Sequence, residues 1–208
     1  MDKTPKSLRL QIGLFGRTNV GKSSFLNLVM GQDFAITSPV PGTTTDVVEK
    51  AMELLPVGPV VFLDTGGIDD TSVLAELRIK KTQKALDRSD VIVLVTESGV
   101  WTEYEQRICQ DARERKTPLI IVVNKIDLRL SPDDLNREMR AQTDFIMQVS
   151  SLDQARRNET VNLFKTHLLA LCPDEFLAPS AIIGDLMSPG GMAVLIVPID
   201  YEAPKGRL

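Results

Sequence analysis

The sequence predicts an α/β fold: a doubly wound, mainly parallel sheet flanked by helices. Three observations carry that prediction. Continuous β-branched runs recur along the chain, helical patterns separate them, and a glycine-rich loop follows the first run and opens a helix. Strands covered by helices on both faces read as unbroken apolar runs, because neither face meets water.

Taken in order, Leu10 to Phe15 predicts the first strand and Ser23 to Met30 the first helix, with Phe25, Leu26, Val29 and Met30 on one face. The mixed stretch Val47 to Leu55 predicts an edge strand with one solvated face, and Val60 to Leu63 a buried strand. Leu74 to Leu86 follows helical spacing, Val91 to Val95 is strand-like, and Thr102 to Arg115 is a charged, weakly amphipathic helix. Leu119 to Val123 is another β-branched run. Ser131 and Pro132 then read as the N-cap and first position of another helix. Phe145 to Val149 closes the strand pattern, and the stripe Val161, Phe164, Leu168, Leu171 marks a last helix over about 158–171.

Composition narrows the class. The chain has 208 residues, 43% of them hydrophobic and 25% charged, which is enough apolar content for a core and argues against disorder. Apolar runs fall short of the roughly 20 residues that span a bilayer. The polar start Met1 to Pro5 lacks a signal core, so the expected compartment is the cytoplasm. Cys109 and Cys172 are the only cysteines, too few and too far apart for a disulfide framework or an iron–sulfur cluster within this chain. The net charge is −4, and −3 of it falls in residues 172–208. Neither part has the basic excess of a nucleic-acid binder. The texture changes at Cys172: the remaining residues carry five prolines, four glycines and one strong strand, Met192 to Ile199, with no partner nearby in sequence. An isolated strand leaves its hydrogen bonds unmade. Residues 1–171 therefore read as one domain, and 172–208 as a linker and the incomplete start of a second.

The chemistry lies at strand ends. Gly16-Arg17-Thr18-Asn19-Val20-Gly21-Lys22-Ser23, followed by Ser24, matches the phosphate-binding loop between a strand and a helix. Its glycines let backbone N–H groups wrap a phosphate at the positive end of a helix, Lys22 neutralises the β/γ oxygens and Ser23 ligates Mg²⁺. This makes the expected fold a P-loop NTPase. Asp64 ends an apolar strand, where an acid holds the Mg²⁺ shell, and Gly67 beyond it can offer its N–H to the γ-phosphate. Asn124-Lys125-Ile126-Asp127 ends the run Leu119 to Val123. The Asp127 carboxylate can accept from guanine N1 and its exocyclic amine, a donor pair that adenine lacks, so GTP is selected over ATP. Asn124 can hold the N7 side and brace the phosphate loop, while the Lys125 stem can stack on the base. Ser150-Ser151-Leu152 can complete the base site. Thr43-Thr44-Thr45 lies in a polar, Gly/Pro-punctuated loop that reads as a switch segment.

In order, these motifs resemble the five nucleotide-binding motifs of a small GTPase domain, over about residues 8–171. The loop sequence, with Pro41-Gly42-Thr43-Thr44-Thr45-Asp46, resembles the Era and TrmE group. That resemblance implies Thr44 as a Mg²⁺ ligand. It also implies Asn19, with Ser38, Val40 and Thr43, as a K⁺ site beside the phosphates. Ile68 stands where Ras-like enzymes carry a glutamine, so turnover is expected to be slow, with K⁺ supplying charge. Glu76 is read as a solvated helix residue, with positioning of water as its other reading. The tail segments Gly184 to Met187, Val194 to Asp200 and Ala203 to Leu208 resemble the start of the second domain of the HydF family of FeFe-hydrogenase maturation GTPases. That resemblance implies a GTP/GDP-binding switch on a maturation scaffold, with radical-SAM maturases and the hydrogenase apoprotein as partners, and dimerisation through the C-terminal extension. The alternative is an Era/TrmE-like role in tRNA modification or ribosome assembly. Neither a nucleic acid nor a membrane is expected as a partner under the first reading. His167 reads as a helix-packing or solvated residue, Cys109 as a helix residue, and Trp101 as a loop-packing or partner-surface residue.

Overall fold

A computed structural model describes residues 9–31, 48–65, 75–173 and 176, with the backbone alone described for 75–81. The chain divides into two compact units, 1–177 and 178–208, and the second lies outside the described residues. So does the expectation about Met192 to Ile199.

The first unit contains β1 (Leu10–Phe15), α1 (Lys22–Met30), β2 (Val48–Leu54), β3 (Gly58–Asp64), α2 (Ala75–Arg88), β4 (Val91–Glu97), α3 (Glu103–Arg115), β5 (Leu119–Asn124), α4 (Asp133–Arg140), β6 (Ile146–Gln148) and α5 (Arg157–Leu171). The strands form one six-stranded sheet in the order β2-β3-β1-β4-β5-β6. All neighbours pair in parallel except β2, which runs antiparallel to β3 at the edge. The doubly wound, mainly parallel α/β architecture read from the strand runs is therefore the observed one.

Burial explains the unbroken runs. Along β4, Val91, Val93 and Val95 join the core cluster under α1 and α5, while Ile92 and Leu94 join the cluster under α2 and α3. All five are fully buried, because alternate side chains point to opposite faces and each face is roofed. Phe164 of α5 meets Phe25 of α1 edge-to-face, with ring centroids 5.4 Å apart, and stacks on Phe62 of β3 at 6.4 Å. This aromatic trio locks one helical layer to the sheet, each buried ring contributing roughly 1.5–3 kcal/mol. The edge strand β2 keeps Val48 and Glu53 exposed and Met52 and Leu54 buried, the half-solvated pattern its mixed sequence predicts.

Two helix starts differ in interest. Thr102 caps α3 in a full capping box with Glu105, which ends the extended loop and satisfies orphan N–H groups. At α4 the expected Ser131 cap is not formed: Pro132 takes the N-cap position, with no side-chain cap bond. The Ser131 hydroxyl is used elsewhere, accepting from Gly99 N–H at 3.1 Å and from the Ser98 hydroxyl at 3.3 Å. A turn 32 residues away has won the competition for that oxygen.

The remaining single residues have packing roles. Cys109 and Cys172 are buried, and burial pushes the Cys109 thiol up to about 12, so it stays an unreactive thiol. His167 packs edge-to-face on Phe145 at 5.4 Å, and burial lowers its pKa. Trp101 is half-buried against the α2/α3 core.

Candidate functional site

Parallel pairing sets the C-terminal ends of β1, β3, β4 and β5 on one edge, the edge where doubly wound sheets bind ligands. Leu14 is in register with Asp64, and Glu97 with Asn124. The phosphate-loop sequence leaves β1 at this edge, Asp64 ends β3, Asn124 ends β5, and Ser150 to Leu152 follow β6. Motifs more than a hundred residues apart thus line one rim.

The phosphate loop has the backbone that its sequence demands. Asn19 adopts φ 63° and Gly21 φ 94°, left-handed conformations in the tight loop between β1 and α1. Gly21 is required twice over, because a Cβ there would lie 2.2 Å from the Asn124 amide nitrogen. Lys22 opens α1 and is buried, its ammonium donating to the carbonyls of Gly16 and Arg17 at 2.9 Å each. Thr18, Asn19, Ser23 and Ser24 are exposed, whereas Val20 anchors the loop in the core.

Asn124 ties three motifs together. It is 2% exposed; its amide nitrogen donates to the Val20 carbonyl at 2.9 Å. Its Oδ1 accepts from the Ser151 N–H at 3.0 Å and the Ser151 hydroxyl at 2.9 Å. This places the phosphate loop, the end of β5 and the loop after β6 in fixed relation. Lys125 takes φ 62° and pairs through Nζ with Glu97 at 2.9 Å. Asp127 and Leu152 are exposed at the rim, with Ser150 half-buried. A 290 Å³ cavity is lined by residues that include Asp127, Val149 and Ser150.

Asp64 is a buried carboxylate; Lys50 of β2 lies 3.9 Å from it. The next residue, Thr65, donates its hydroxyl to the Leu14 carbonyl at 2.9 Å, pinning the end of β3 to β1. Thr44, Ser38, Val40, Thr43, Gly67 and Ile68 lie outside the described residues, and Glu76 is described only as backbone within α2.

Two residues of the site escaped the sequence reading. Tyr104 Oη accepts from the Gly16 N–H at 3.3 Å, and Glu105, fully buried, accepts from Arg17 Nε at 2.7 Å. The Thr-x-x-Glu signature at 102–105 is the local signal that could have pointed to Glu105, whereas its reach to the phosphate loop leaves no local trace.

Residues 11–125 match the family model of the 50S ribosome-binding GTPase. The chain belongs to that GTPase family. Residues 182–208 of this GTPase match a second model, the hydrogen maturase F dimerization domain. The tRNA modification GTPase MnmE of Synechococcus sp. strain JA-3-3Ab is 44% identical over 121 residues, covering 57% of this chain and 26% of the relative. GTPase Der of Streptococcus pyogenes serotype M4 is 32% identical over 194 residues, covering 86% of this chain and 43% of the relative. The GTPase thus spans less than half the length of either. Among solved structures, a point variant of Aquifex aeolicus Era bound to GDP·AlF4⁻ superposes with a TM-score of 0.56 at 27% identity, over 76% of this chain and 56% of that one. No helix among the described residues is long and apolar enough to cross a membrane.

Proposed function

We propose that this GTPase hydrolyses GTP to GDP and phosphate as the switch domain of a FeFe-hydrogenase maturation scaffold. The observation that carries the proposal is the joint presence, in one chain, of the GTPase match at 11–125 and the hydrogen maturase F dimerization match at 182–208. The partners under this reading are the radical-SAM maturases and the hydrogenase apoprotein, in the cytoplasm, and the C-terminal extension supplies a dimer contact.

The residues support the chemistry as follows. The loop at Gly16 to Ser24 and the positive end of α1 bind the phosphates, and Lys22 neutralises the β/γ oxygens. Asp127 accepts from the guanine N1 and amine, Lys125 covers the base, and Ser150, Ser151 and Leu152 close its edge. Water attacks the γ-phosphorus in line, the bond to the β-phosphate oxygen breaks, and GDP leaves. A buried carboxylate at Asp64 and a hydroxyl at Ser23 form the hard-oxygen donor set that suits Mg²⁺, with Thr44 as its switch ligand. When bound, Mg²⁺ supplies charge neutralisation on the phosphate oxygens. Asn19, exposed in its left-handed turn, offers an amide oxygen for K⁺, with Ser38, Val40 and Thr43 as the remaining donors. Gly67 offers a backbone N–H to the γ-phosphate.

Potassium use has a direct readout. Steady-state phosphate release is expected to be several-fold faster in KCl than in NaCl at equal ionic strength, and Asn19→Ala to remove that difference. Equal rates for the wild type in both salts would remove K⁺ from the scheme.

The maturation role is tested in cells lacking the parent gene. Hydrogenase apoprotein should accumulate inactive, be rescued by the wild-type gene, and not be rescued by a Lys22→Ala copy. The 44% identity to MnmE favours a second reading, an Era/TrmE-like role on tRNA or the ribosome. Intact hydrogenase activity combined with a loss of tRNA modification would select it.

A further inference from the structure

We propose that the first turn of α3, Thr102 to Glu105, is a positioning clamp that fixes the opening of the phosphate loop. The Gly16 N–H donates to Tyr104 Oη at 3.3 Å. Next in the chain, Arg17 Nε donates to Glu105 Oε1 at 2.7 Å. The Glu105 side chain is 0% exposed and that of Arg17 33% exposed. A wholly buried carboxylate has to be paired, so this ion pair is a strong constraint on where the arginine lies. The second Glu105 oxygen accepts from the Thr102 N–H at 2.9 Å and also from the Thr102 hydroxyl. One carboxylate therefore caps the helix and holds the loop, and neither task moves without the other. Burial pushes the Tyr104 phenol up, keeping it neutral.

The clamp is itself anchored to the base-binding side. The loop that leads into Thr102 is bound to the segment after β5 at several points. Arg129 donates to the Ser98 and Gly99 carbonyls at 3.1 and 2.6 Å, and the Gly99 N–H donates to Ser131 Oγ at 3.1 Å. The Ser98 N–H donates to the Asn124 carbonyl at 2.8 Å. The turn thus reaches the guanine-reading segment at one end and the phosphate loop at the other. Contacts that hold both loops in place lower the entropy cost of nucleotide binding. Arg17 is then a positioning residue, its Nε committed to α3.

The clamp rests on guanine nucleotide being the ligand, so wild-type binding of fluorescent mant-GDP is the control. Absence of wild-type binding would sink that premise, independently of the clamp. Arg17→Met and Glu105→Gln are each expected to weaken mant-GDP binding and raise the KM for GTP about ten-fold, with kcat within two-fold of wild type. The double variant is expected to be no worse than the weaker single, because both break one interaction. Arg17→Lys should recover part of the loss. Tyr104→Phe, which keeps the ring and removes one oxygen, should speed mant-GDP release about three-fold. It decides the question if Glu105→Gln fails to fold. Affinities within two-fold of wild type, additive losses, an unchanged release rate in Tyr104→Phe, or a fall in kcat at constant KM would each overturn the clamp.

Discussion

Replacing Lys22 with alanine is expected to lower kcat/KM for GTP by about a thousand-fold, the scale on which a single preorganised charge donor acts in a phosphoryl-transfer site. The reason is double. In the proposed mechanism the ammonium follows charge onto the β/γ oxygens as the transferring bond lengthens. It also donates to the Gly16 and Arg17 carbonyls, so its removal leaves the entrance of the loop without its internal brace. Lys22→Arg should not restore turnover, because a planar guanidinium is wider than an ammonium and Lys22 is buried in a tight backbone ring. Single-turnover hydrolysis checks both variants, with far-UV circular dichroism showing that the fold persists. A residual kcat/KM above a tenth of wild type would refute the assignment.

Asn124→Ala should produce the largest combined loss of stability and affinity. The side chain satisfies the Val20 carbonyl and two Ser151 donors at once, and all three partners sit where water does not easily replace it. Leaving buried polar groups unpaired costs about 1–3 kcal/mol each, and partial relaxation brings the expected total to about 3 kcal/mol. For a domain of this size that corresponds to a fall in Tm of roughly 6–12 °C. Because the same residue aligns the phosphate and base loops, mant-GDP affinity should fall about a hundred-fold. Asn124→Asp separates the contributions: it keeps an acceptor for Ser151 but sets a carboxylate against the Val20 carbonyl, so it should bind nucleotide no better than the alanine variant. A Tm within 2 °C of wild type would contradict the bracing role.

What could be read from the sequence, and what could not, divides along a physical line. The runs at 91–95 and 119–123 announce double-sided burial, because only a sheet roofed on both faces accepts five successive apolar residues, and the structure buries every one. The loop at 16–23 was legible because glycines at left-handed turns and a lysine at a helix start leave a local trace. Ser131 misled for the opposite reason: its local pattern is that of a cap, yet its hydroxyl is taken by the turn at Ser98 and Gly99. Glu105 shows both cases in one residue. Its capping role is encoded three residues away, whereas its pairing with Arg17 spans 88 residues and exists only once β1 and β4 lie side by side. The switch residues Thr43 and Thr44 and Gly67 fall outside the described residues.

The close approach of Gly21 to the Asn124 amide carries an evolutionary consequence. A methyl group at position 21 would lie 2.2 Å from that nitrogen, on a backbone already at φ 94°. A side chain at position 21 therefore meets two obstacles, the Asn124 amide and the left-handed backbone, and clearing the first leaves the second. A smaller residue at 124 would open the space but strand Ser151 and Val20. Exchanging both residues relieves neither the left-handed backbone at 21 nor the stranded partners of 124, so two positions 103 apart in the sequence are each held by a separate demand and meet in one contact.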